Sequence, residues 1–182
     1  APLERLLELL RDGKRPVVLR AQCPIALARL FAGAPAEGRE PVRARIAGEL
    51  MALLRRKQES TELRQSCILA LGALGTSDGE RALDVEIRTT LRAALADSAE
   101  NQSRGFALIA LAQGAARPGA DPAAGSSAEV GEFLLAQMTD GKQMLRAWAG
   151  LACGVLGHEL VRTGNAAPTL ARLRSAVRAA LA

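Results

Sequence analysis

Apolar residues recur along this chain at intervals of three and four. Leu3, Leu6, Leu7 and Leu10 share one face of Pro2–Arg11, and Ile46, Leu50, Leu53 and Leu54 share one face of Pro41–Arg56. Leu83, Ile87, Leu91 and Leu95 do the same in Leu83–Ala96. So do Val130, Leu134 and Met138, with Phe133 beside them, in Ala128–Thr139, and Leu170, Leu173, Val177 and Leu181 in Pro168–Ala182. A period near 3.6 predicts helices with one buried face. Between them lie four more apolar segments, Leu19–Phe31, Leu63–Gly75, Ser103–Ala115 and Leu145–Gly157. Turn-rich stretches at Gly33–Glu40, Gly75–Gly79, Arg117–Ser127 and Gly164–Pro168 separate the elements.

The four inner segments align without gaps. In each, an arginine is followed six residues later by alanine: Arg20 and Ala26, Arg64 and Ala70, Arg104 and Ala110, Arg146 and Ala152. The arginines are 44, 40 and 42 residues apart. That period fits a two-helix repeat and is too long for tetratricopeptide or ankyrin units. The best copy ends Ala70-Leu71-Gly72-Ala73-Leu74-Gly75.

These residues resemble HEAT repeats. In that family an outer helix ends near an acidic residue, and the inner helix opens on a basic one followed by an Ala-x-x-Ala-Leu-Gly-like run. Asp12, Glu59 or Glu62, Asp97 and Asp140 are the acidic counterparts here. The resemblance implies an all-α fold, a right-handed superhelix (alpha-solenoid) of about four helical hairpins plus a C-terminal helix. One domain would span 1–182, with repeats near 2–33, 41–75, 83–115 and 128–157 and a half-repeat at 166–182. Each solenoid repeat buries its apolar face on its neighbours. The last helix has no mate after it, so the chain is expected either to be excised from a longer protein or to cap itself with that helix. The first copy departs from the pattern: Pro24 stands inside the inner segment, where it would mark a kink or a late helix start, and Phe31 replaces the terminal glycine. Gly75 and Gly157 are candidate helix C-caps, and Gly72 and Gly154 fit close helix approach.

Composition supports helices. Alanine is abundant, aromatics are 2% of residues, and tyrosine is absent. Cys23, Cys67 and Cys153 sit in apolar helical segments, where they act as small hydrophobes and not as a disulfide set. No uninterrupted apolar run spans a bilayer, so no membrane insertion is expected, and no signal peptide is visible in a chain that begins without Met. The sparse, odd set of cysteines is compatible with a reducing compartment; the location is left open, with the cytoplasm favoured. The net charge of +5 raises nucleic-acid binding, but the charge is mixed in sign along the whole length, and aromatic stacking platforms are scarce.

Candidate chemistry is sparse. His158, the one histidine, adjoins Glu159. HEAT-like deoxyhypusine hydroxylases hold iron with repeated His-Glu pairs, and a single pair does not supply the ligands, so no metal or cofactor is expected. Alkylpurine DNA glycosylases and bilin lyases are other HEAT-like enzymes. Neither leaves a diagnostic signature, and Trp148 reads as packing. The arginine ladder Arg20, Arg64, Arg104 and Arg146 reads as structural, each guanidinium pairing with the acidic residue that ends the preceding helix. The chain is therefore read as a non-enzymatic module that binds a protein partner or acts as a scaffold through its inner-helix surface. Gln65, Gln102, Gln113 and Gln143 are the candidate contacts. Polyanion binding is the alternative.

Overall fold

A computed structural model describes residues 2–33, 38–56, 58–78, 81–119, 125–164 and 168–181, without the side chains of 168, 180 and 181. The expected linkers at 33–40, 75–79, 117–127 and 164–168 lie partly outside these residues, as does the side chain of Leu181. The described residues form nine helices: α1 (Pro2–Arg11), α2 (Val17–Ala32), α3 (Arg39–Arg55), α4 (Thr61–Leu74), α5 (Ala82–Asp97), α6 (Asn101–Ala116), α7 (Ser127–Thr139), α8 (Gln143–Arg162) and α9 (Pro168–Leu181). The fold is all-α. An isolated antiparallel bridge between Asp78 and Gly125 is the only β-pairing among them.

Packing follows the alternation seen in the apolar pattern. The even-numbered helices form a row in which α2 packs on α4, α4 on α6 and α6 on α8. Each odd-numbered helix from α1 to α7 packs on the even one that follows it, and α9 packs on α7 and α8. Leu7, Leu27, Ile46, Leu50, Leu71, Leu91, Leu111, Leu134 and Leu156 lie at full or almost full burial in one continuous core between the two rows. Small residues let the even helices approach. A Cβ at Gly72 would lie 2.5 Å from the Ala110 Cα, so no side chain fits there without moving α4 off α6. A Cβ at Gly105 would lie 2.2 Å from the Trp148 ring.

The expected cap at Gly75 holds, and the expectations for Pro24 and Gly157 change. Helix α2 starts at Val17, ahead of Pro24, so the proline marks no late start; it is buried inside the helix. Gly75 is the C-cap of α4, its N–H donating to Leu71 O at 2.9 Å. Gly157 is not a cap, because α8 continues to Arg162. Leu160 is fully buried and keeps the extra turn on the core. His158 and Glu159 accordingly lie within α8.

Candidate interaction surface

The ladder arginines open their helices as the alignment implies, but their partners are backbone carbonyls. Arg20 Nε donates to Leu10 O at 3.0 Å, Arg64 Nη1 to Leu54 O at 2.8 Å and to Arg56 O at 3.1 Å. Arg104 Nε donates to Ser98 O at 2.6 Å and Arg146 Nε to Gly141 O at 2.9 Å. Each reaches the C-terminal end of the preceding odd-numbered helix or the turn after it. Those carbonyls have no intrahelical donor and sit at the negative end of the macrodipole, which suits a cation. The expected acidic partners are absent from these contacts. Arg20 alone of the four meets a carboxylate among the described residues, Glu59 at 3.0 Å, and that residue belongs to the following hairpin.

Carboxylates pair elsewhere, along the odd-numbered helices. Arg45 meets Glu4, and Arg11 meets Glu49, joining α1 to α3. Arg55 meets Glu86 at 2.8 Å between α3 and α5, Arg92 meets Glu129 at 2.8 Å between α5 and α7, and Arg172 meets Glu132 at 2.6 Å between α7 and α9. One junction is buried. Arg43 and Asp84, 2% and 0% exposed, pair at 2.8 Å; Arg43 Nη1 also donates to Leu74 O, and Asp84 Oδ1 accepts the Thr76 N–H. Burial alone would disfavour the Arg43 charge, but hydrogen bonds to Asp84 and Glu40 outweigh it and raise the pKa. Arg117 is a half-buried cation. Its Nη1 donates to the carbonyls of Gly72, Ala73 and Gly75 at the end of α4, and burial lowers its pKa.

The side of the even-numbered row away from the odd helices carries different chemistry. Counting five residues from each ladder arginine gives Ile25, Leu69, Ile109 and Leu151, all aliphatic. The first three are half-buried, and Leu151 is 55% exposed. Helical phase sets this position opposite the core-facing Leu63, Cys67 and Leu74 of α4 and their equivalents in α6 and α8. Phe106 and Trp148, two residues after their arginines, are also half-buried and meet edge to face with centroids 5.8 Å apart. Trp148 therefore packs α8 on Gly105 and Phe106 of α6. Nothing but phase periodicity across the aligned repeats signals this apolar row in the sequence.

The four glutamines separate. Gln102 and Gln113 border this surface on α6, exposed and half-buried. Gln65 turns toward α6, its Nε2 donating to Ser103 Oγ at 3.2 Å. Gln143 is exposed at the first residue of α8. They do not form one cluster. Among the described residues no group of three or more His, Cys, Asp and Glu is placed to hold a metal ion. Glu159 accepts from Arg162, which lowers its pKa. An open cleft of about 950 Å³ lies between the α3–α4 and α5–α6 turns. Its carboxylates are partly committed: Glu86 to Arg55, Glu59 to Arg20, and Glu100 to the Thr61 hydroxyl.

No known family model matches this chain, and no curated protein matches it. No helix among the described residues is long and apolar enough to cross a membrane.

Proposed function

We propose that the chain is a HEAT-like alpha-solenoid whose even-numbered helices form a binding surface for an apolar segment of a protein partner. The observation that carries this reading is the aliphatic row Ile25, Leu69, Ile109 and Leu151, kept at one repeat position, half-buried in α2, α4 and α6 and exposed in α8. Contiguous exposed apolar surface is unusual on a soluble protein unless something covers it. The cations favour this reading over polyanion binding. Most of the arginines described above are held by carboxylates or by helix-end carbonyls, which leaves few to track a phosphate backbone.

A peptide library selected on the protein and counter-selected on the double variant Leu69→Glu/Ile109→Glu tests the proposal. Both positions are half-buried and Ile109 packs against the core, so the melting temperature of the variant is measured alongside and only a folded variant serves for counter-selection. Selected peptides are expected to carry regularly spaced apolar residues, to bind with little salt dependence, and to lose at least about tenfold in affinity on the variant. Two results would overturn the reading: peptides that bind both proteins equally, or binding of duplex DNA that weakens steeply with salt.

A further inference from the structure

Neighbouring hairpins are not closed in the same way. At the first junction Arg20 of α2 reaches Glu59, in the turn between α3 and α4, and meets both carboxylate oxygens at 3.0 and 3.1 Å. The two side chains are 9% and 13% exposed. Glu59 stands five residues before the ladder arginine of its own hairpin. Counting five back from Arg104 and Arg146 gives Ala99 and Gly141. Arg64 of α4 therefore has no equivalent carboxylate to reach at the second junction, and an open cleft of about 950 Å³ lies there. Arg64 lines it. Its Nη1 is held by Leu54 O and Arg56 O, while its Nε and Nη2 have no hydrogen bond among the described residues.

The opposite wall is acidic. Two carboxylates of the cleft are neutralised, Glu86 by Arg55 and Glu59 by Arg20. Asp97 has no ion pair or hydrogen bond among the described residues, and the partners of Glu100, Thr61 Oγ1 and Gln65 Nε2, are neutral. Asp97 is the last residue of α5, where the helix-end carbonyls also favour a cation. Ser98 follows it, 8% exposed and lining the cleft, and its hydroxyl has no hydrogen bond among the described residues. A polar side chain so enclosed is ordinarily hydrogen-bonded; this one is free to meet a ligand. One guanidinium without a carboxylate and two carboxylates without cations thus share a walled site. We infer that the cleft binds arginine or lysine with its α-carboxylate free. The carboxylate takes the place that Glu59 fills for Arg20 and pairs with Arg64 through its two open N–H groups. The cationic groups meet Asp97 and Glu100, and the Ser98 hydroxyl adds a hydrogen bond. The volume is that of a small-ligand site.

Calorimetric titration of the whole chain separates these contacts. Arginine is expected to bind. Agmatine, which lacks the carboxylate, and citrulline, which lacks the side-chain charge, should each bind at least about tenfold more weakly. Ala99→Glu supplies the missing carboxylate from within the chain. It should reduce arginine binding at least about tenfold without lowering the melting temperature, since Ala99 is exposed. Asp97→Asn/Glu100→Gln should abolish the preference for arginine over citrulline. A tripeptide ending in arginine identifies the source: tighter binding than free arginine assigns the site to a chain terminus, weaker binding to the amino acid itself. Arginine binding no better than agmatine or citrulline, undiminished binding by Ala99→Glu, or no heat from any of these compounds overturns the inference.

Discussion

Asp84 shows how much one side chain can hold. It is fully buried, accepts two hydrogen bonds from Arg43 and one from the Thr76 N–H, and so ties α3, α5 and the end of α4 together. Removing one partner of a buried pair leaves the other charge desolvated and unpaired, at a cost of about 3–5 kcal/mol. Asp84→Ala should therefore lower stability by about that amount in urea unfolding. Arg43→Met combined with it should recover part of the loss, because the orphaned charge is gone. Equal stability of the single and double variants would show that Arg43 finds another acceptor. In the sequence Asp84 is one acid among many on a polar helix face; only the approach of α3 to α5 selects it.

At the scale of elements, α1 is the one odd-numbered helix among the described residues with no backbone packing on another odd-numbered helix. It packs on α2, but no backbone packing joins it to α3. Besides the shared core of Leu7, Leu10, Ile46 and Leu50, the link is the pairs Glu4–Arg45 and Arg11–Glu49. The hydrogen bond from Arg11 lowers the Glu49 pKa, and the hydrogen bond from Arg45 lowers that of Glu4. A carboxylate with a lowered folded-state pKa contributes stability above its ordinary range and loses it as pH falls through the lowered value. Such exposed pairs are individually weak. Acidification below the ordinary carboxylate range should thus reduce hydrogen-exchange protection factors in α1 before those in α4 or α6. Raised salt at neutral pH should act in the same direction. Uniform loss of protection across all three helices would rule out this weaker attachment.

The whole molecule carries three built-in reporters of how the row opens. Cys23, Cys67 and Cys153 stand in α2, α4 and α8, and all are buried. Burial raises each thiol pKa, to about 12 at Cys67 and about 11 at Cys153. Reaction with a thiol reagent near neutral pH therefore requires opening of the structure. Cys67 has even-numbered helices on both sides, whereas α2 and α8 each have one. In a stack held by neighbour contacts the interior should open last. Site-resolved labelling in rising denaturant should modify Cys67 after Cys23 and Cys153. Modification of Cys67 first would mean that the hairpins do not unfold from the ends.

The hydrophobic period alone determined that this chain is helical, roughly where each helix lies, and which faces are buried. Those properties depend on residues a few positions apart, and Leu3–Leu10 or Leu83–Leu95 display them without any long-range information. The arginine repeat was equally legible, since a gapless alignment exposes it. Its chemistry was not: Arg64 and Arg104 seek helix-end carbonyls, and the sequence marks only side-chain acids as partners. The end of α8 at Arg162 depended on Leu160 meeting the core, which outweighs the helix-ending pull of Gly157. The open surface was beyond the sequence as well. Leu69 and Leu71 are the same residue type two positions apart, and only the packing of α3, α5 and α6 around α4 decides that Leu71 is buried while Leu69 stays half open to solvent.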